Sequence, residues 1–154
     1  MKPLLRRNVV NQKTGQFFEA AFELEARRTD LLPVRNGQAV RYLPGGRIIA
    51  IKSNLDWTLL GKEGLAAFVD TKSFQGVAFT YSQLEPHQLL LACDYQQRGF
   101  LAGFVVHFRQ TDVISFFAGK YIRQRGPRSR FEPQQGRVLG HLRAFDLRRL
   151  WPTA

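Results

Sequence analysis

A chain of 154 residues suits one domain with a single core, and 44% apolar residues with 12% aromatics exclude a disordered polymer. Lys and Arg number 23 against 12 Asp and Glu, a formal net charge of +11 that favours polyanionic partners such as nucleic acid. Cys93 is the one cysteine, which excludes an intrachain disulfide and a cysteine zinc cluster, and no run of about 18 apolar residues offers a membrane span. With no signal-peptide core in Met1–Arg7, a cytoplasmic location is expected, the host cytoplasm if the chain is viral.

The first element expected is an amphipathic helix from Thr14, its N-cap, to about Arg28, because Phe17, Phe18, Ala21, Phe22 and Leu24 recur at helical spacing. Glu19 and Glu23 flank that stripe one turn apart. From Leu31 to Lys52, Pro33, Asn36-Gly37 and Pro44-Gly45-Gly46 punctuate short apolar runs, which predicts turns and one or two short strands. Leu55–Leu60, the turn Gly61–Gly64 and Leu65–Asp70 then read as a β-hairpin. Ser82 with Glu85 three residues on, followed by Pro86, opens a second helix from about Glu85 to Arg98 that Gly99 stops, with Leu89, Leu90, Ala92 and Cys93 as its core candidates. Phe100–Phe108 is almost continuously apolar, as a strand covered on both faces would be, and Val113–Phe117 reads as its neighbour. A polar, arginine-rich loop from Gly126 to Gly140 and a short closing helix near Phe145–Leu150 complete the chain. The organisation expected is a single domain over 1–154, with a core at about 15–120 and a basic tail over 120–154.

That tail concentrates the charge. Lys120 to Arg149 holds nine cations against Glu132 and Asp146, which leaves +7 of the total +11. Arginine's planar fork suits phosphate oxygens, so Arg123, Arg125, Arg128 and Arg130 are candidate phosphate contacts, together with Arg6, Arg7 and Lys52 elsewhere in the chain.

Two carboxylates stand out in so basic a chain. Folding the hairpin about Lys62–Gly64 sets Asp56 opposite or diagonal to Asp70, and the two-residue period of a strand sets Lys72 on the face of Asp70. Two acids so placed repel unless a cation lies between them, and magnesium, with manganese as substitute, prefers such hard oxygens. Asp56, Asp70 and the carbonyl of Thr71 are the candidate metal ligands, with Lys72 placed to orient a water or polarise a phosphate. An ordinary hairpin with exposed acids at its strand ends would carry the same triplet. His87, His107 and His141 lack zinc-like spacing, and Pro44-Gly45-Gly46 lacks the lysine and helix of a phosphate-binding loop, so neither a histidine metal site nor a nucleotide cofactor is expected.

The ordered segments Gly15-Gln16-Phe17-Phe18-Glu19, Asp56, Phe68-Val69-Asp70-Thr71-Lys72 and Pro86-His87-Gln88-Leu89 resemble the PD-(D/E)xK nuclease superfamily. Within it they are most similar to Holliday junction resolvases of the RecU and archaeal Hjc type. The resemblance runs from about Gly15 to Phe108 and implies an α/β fold with a restriction-endonuclease-like core, a central mixed β-sheet flanked by helices. It makes Asp56 and Asp70 metal ligands, Lys72 the catalytic lysine, Glu19 a further acid and metal ligand from the first helix, and Gln88 a polar partner beside them. It also implies a homodimer that resolves branched DNA, a four-way junction, by paired phosphodiester hydrolysis. A related nuclease acting on duplex DNA, or a non-catalytic DNA-binding protein of the same fold, would share these features. Leu55 replaces the superfamily's proline and Asp70 its commoner glutamate, while Arg35–Lys52 falls where RecU carries its stalk.

Overall fold

The computed structural model describes residues 3–37, 40–50 and 54–152. Its centre is a seven-stranded mixed sheet of order β1-β4-β5-β7-β8-β10-β11. The strands are β1 (Leu32–Arg35), β4 (Trp57–Leu60), β5 (Ala66–Phe74), β7 (Leu101–Phe108), β8 (Val113–Ala118), β10 (Arg137–His141) and β11 (Ala144–Phe145). Two small antiparallel ribbons stand apart from it, β2 (Val40–Tyr42) with β3 (Ile48–Ala50), and β6 (Phe79–Thr80) with β9 (Arg130–Phe131). β5 and β7 run parallel in full register from Ala67↔Leu101 to Phe74↔Phe108, and every other neighbouring pair of the large sheet is antiparallel. A parallel pair needs a long crossover. Here α2 (Pro86–Gln97) supplies it.

The alternation of side chains along these strands builds a core on each face. On one side Phe18, Phe22 and Ala26 of α1 (Pro3–Arg28) pack on Trp57, Leu59, Ala67, Val69 and Val105. On the other, Leu89, Ala92 and Cys93 of α2 and Ile122 of α3 (Gly119–Arg125) pack on Ala102, Phe104, Val106 and Phe117. The apolar run of β7 is buried on both faces, as its composition implies. Among the described residues no helix is long and apolar enough to cross a membrane.

Several elements differ from those expected. α1 begins at Pro3, so Thr14 lies inside the helix and not at its cap; proline is well accommodated in a first turn, and the apolar stripe supplies Phe18, Phe22 and Ala26 to the core. A capping box does form, but between Thr80 and Gln83 around the tight turn Tyr81–Gln83, and α2 then starts at Pro86 without a side-chain cap from Glu85. Leu90 is 51% exposed because it falls on the outer side of α2, whereas Gln88, on the inner side, is buried. β4 begins at Trp57, leaving Leu55 and Asp56 in the approach to the strand, and β5 runs on to Phe74. The stretch expected to be a polar loop holds β9, the turn Pro133–Gln135 and β10, and the expected closing helix is β11 followed by one short turn, Leu147–Leu150. Leu139, Phe145, Leu147 and Leu150 are buried against the α1 face, so isolated apolar residues in a polar stretch suffice to anchor these edge strands. Phe79 and Phe117 are core residues on the α2 face, with Phe74 partly buried against them, and Phe116 is a core residue on the α1 face.

Candidate active site

The ladder between β4 and β5 pairs Trp57 with Val69 as its outermost rung. Beyond it the two chains carry Asp56 and Asp70, and the expected meeting of the two acids is observed: the Asp56 backbone N–H donates to Asp70 Oδ1 at 3.1 Å. Past Val69, β5 pairs with β7 and, among the described residues, has no strand on its β4 side. Lys72, on the same face as Asp70, places Nζ 2.8 Å from Asp70 Oδ2.

Gln88, in the first turn of α2, ties these groups together. Its Nε2 donates to Asp70 Oδ1 at 3.0 Å and its Oε1 accepts from Lys72 Nζ at 3.0 Å, which fixes the orientation of the amide. Asp70 is fully buried, and Gln88 is 5% exposed. Asp70 Oδ1 thus accepts two hydrogen bonds, whereas Oδ2 faces the Lys72 ammonium without a well-directed one. The Thr71 side chain points to the opposite, α1 face, and its Oγ1 is buried without a hydrogen bond; any part Thr71 takes is through its backbone.

Asp56 carries the electrostatic signature of the site. Burial pushes its carboxyl up from 3.8 to about 7, and the negative charge of Asp70 and a hydrogen bond with it push the same way. Lys72, and then Arg35, oppose the rise without cancelling it. Two carboxylates thus meet in one partly dry place, where Lys72 pairs with Asp70 but does not offset the rise at Asp56. Hard oxygen donors short of a cation fit a divalent ion such as magnesium, which commonly takes only one or two carboxylates and fills its other positions with water and phosphate.

Glu19 is not brought to this pair. Its Oε2 is held by Arg35 at 2.8 Å on the α1 side of the sheet, where the Arg35 guanidinium also lies 5.5 Å over the Trp57 ring. Among the described residues no three His, Cys, Asp or Glu side chains gather closely enough to share a metal ion. Of the other acids of α1, Glu23 pairs with Arg27 at 3.3 Å and Glu25 with Arg28 at 3.7 Å.

Of the candidate phosphate contacts, Arg123 and Arg125 end α3, Arg128 follows in the turn and Arg130 lies on β9; all four are exposed, and among the described residues none forms an ion pair. Arg130 stands opposite Thr80 in the β6–β9 ribbon, and the chain runs from Thr80 through one tight turn into the helix that carries Gln88. Arg123 lies toward the other end of that helix, lining a pocket with Asp94 and Gln97. Arg6 and Arg7 lie in the first turns of α1, and Lys52 is outside the described residues. The place of the expected stalk is taken, where described, by the β2–β3 ribbon. His107 is structural, its Nε2 lying 2.9 Å from Asp112 Oδ1 beside Phe18.

Two further residues stand around the site. In the sequence Arg35 only opens the stretch at the place of the stalk, and Asn36 is half of an Asn-Gly turn signal. Each acts through partners 16 to 22 positions away, a separation that no local pattern reports.

No protein-family model matches the chain, and neither does any curated protein sequence. Among solved structures it is similar to Hjc, a Holliday junction resolvase from the archaeal hyperthermophile Archaeoglobus fulgidus. The TM-score is 0.58 at 12% sequence identity, over 80% of this chain and 95% of that one. The likeness is one of fold: the mixed sheet with helices on both faces is the restriction-endonuclease-like α/β architecture of an Hjc-type resolvase.

Proposed function

We propose that the protein is a divalent-metal-dependent endonuclease that cuts branched DNA, resolving four-way junctions by paired phosphodiester hydrolysis. The observation that carries this reading is the convergence of Asp56, Asp70, Lys72 and Gln88 where β5 runs on past the end of β4, with the Asp56 carboxyl raised to about 7 by burial and by Asp70. The Hjc likeness supports branched DNA as the substrate class, and the net charge of +11 supports a polyanion.

Asp56, Asp70 and the Thr71 carbonyl would hold the magnesium or manganese ion, which when bound supplies a water acidic enough to attack phosphorus and neutralises the phosphate. Lys72, whose Nζ lies 2.8 Å from Asp70 Oδ2, would present its ammonium to the attacking water or a phosphate oxygen. Gln88 keeps Asp70 and Lys72 in register throughout, through one amide bonded to both. Glu19 enters this scheme only by leaving Arg35. Arg123, Arg125, Arg128 and Arg130 hold the DNA through its phosphates, and recognition of a junction by shape needs no base contacts. A homodimer would match the two-fold symmetry of a junction and cut two strands of like polarity.

The test compares nicking of a four-way junction and of linear duplex with the same arm sequences, in magnesium and in EDTA. Metal-dependent cutting of the junction, lost in Asp70→Asn and Lys72→Ala, is the expected result. Preferential cutting of the duplex would point to a related duplex nuclease, and binding without cutting to a non-catalytic protein of this fold.

A further inference from the structure

We propose that Asn36 is the positioning residue for Asp56. This rests on the reading of Asp56 as a metal-holding carboxylate. Asp56 lies outside the β4 ladder, so the sheet does not fix its peptide. Asn36, directly after β1, does so twice. Its backbone N–H donates to the Asp56 carbonyl at 2.8 Å, and its side-chain Nδ2 donates to the carbonyl of Leu55 at 2.8 Å. Thr58 braces the amide: its Oγ1 lies 3.2 Å from Nδ2 and 3.3 Å from Oδ1. With the Asp56 N–H given to Asp70 Oδ1, both sides of the Asp56 residue and the carbonyl before it are held.

The side-chain chemistry is specific. Nδ2 must donate to Leu55, a fully buried residue, while Oδ1 takes the Thr58 hydroxyl, and only a primary amide of this length does both. An aspartate at 36 would turn a carboxylate oxygen toward the Leu55 carbonyl and add a third negative charge beside Asp56 and Asp70. Alanine would leave the carbonyl unpaired and free the bend. Repulsion between Asp56 and Asp70 then drives Asp56 away from the geometry two carboxylates need to share one ion. Asn36 thus acts on metal affinity through Asp56 and touches no reacting atom.

The experiment titrates manganese into the metal-free full-length protein, without DNA, by the loss of the free-ion electron paramagnetic resonance signal. It also measures the melting temperature in EDTA and junction nicking against manganese concentration. Asn36→Ala should weaken manganese binding by about 10- to 100-fold, the range for residues that orient metal ligands. The manganese midpoint for nicking should shift by the same factor, with nicking at saturating manganese close to the parent's. Asn36→Asp should be at least as impaired, Thr58→Val less so, and Thr58→Ser should match the parent. Parent-like manganese affinity in Asn36→Ala, while Asp56→Ala has lost binding, would overturn the role of Asn36 and leave the nuclease reading standing. Parent-like affinity in Asp56→Ala and Asp70→Asn would overturn the metal site itself, and this inference with it. If Asn36→Ala does not fold, Thr58→Val and Thr58→Ser decide the matter, since both keep the Asn36–Leu55 bond.

Discussion

Asp56→Asn should stabilise the metal-free protein at pH 8 and leave it almost unchanged at pH 4. Folding raises the Asp56 carboxyl from 3.8 to about 7, chiefly by burial and then through Asp70. The native state therefore holds this proton more tightly than the unfolded chain. Below about pH 4 both states carry it and nothing is lost; as the pH climbs to about 7 the unfolded chain ionises first, and stability falls along the way. Above 7 the whole penalty is present. At 1.36 kcal/mol per pH unit it would be about 4 kcal/mol, and about 2 kcal/mol once the solvent that Asp56 still reaches is allowed for. Asparagine keeps the shape and cannot ionise, so it recovers that amount at pH 8, roughly 4 to 8 °C in melting temperature for a chain of this size. Thermal or urea unfolding in EDTA at the two pH values measures it. Magnesium should then stabilise the parent at pH 8 more than it stabilises the variant. A variant that is less stable than the parent at pH 8, or equally shifted at both pH values, would refute the argument that Asp56 is strained by burial and by its neighbour.

Gln88→Ala removes the amide that joins Asp70 to Lys72, and junction nicking at saturating manganese should fall about 10- to 100-fold with DNA affinity unchanged. Exchanging Arg128 and Arg130 together for alanine should weaken junction binding and lower the slope of log affinity against log salt by about 2, while the bound complex is cut at the parent rate; an unchanged slope would remove both from the phosphate path. Gly103→Ala tests the packing beneath the site: a Cβ there would lie 2.1 Å from the Phe117 carbonyl oxygen and 2.9 Å from Ala118 Cα on the neighbouring strand, so β7 and β8 must separate at a cost of about 3 kcal/mol, read by urea unfolding.

The parts of this fold that the sequence announces are those whose burial is written into a local period. The run before Phe108 has to be a doubly covered strand because a single exposed face would leave half its apolar side chains in water, and Pro86 and Gly99 bracket α2 by backbone geometry alone. The same two-residue period carries Asp70 and Lys72 to one face and Asp56 opposite, so the heart of the site is legible without coordinates. β10 and β11 are not, because at a sheet edge a few anchors such as Leu139 and Phe145 suffice and their polar surroundings resemble a loop.

What no local period decides is who stands beside the two acids. Gln88, which only the resemblance implies, comes from a helix and Asn36 from the end of another strand, and both reach the pair across gaps in sequence that the β5–α2–β7 crossover and the β1–β4 pairing close. Glu19 shows the converse: its spacing from Gly15 fits a motif, yet the helix face on which it falls delivers it to Arg35. Local periodicity determines which side of an element a residue occupies. Which other side it then meets, and whether a carboxylate is buried beside a second acid or held by an arginine, depends on how the layers are stacked.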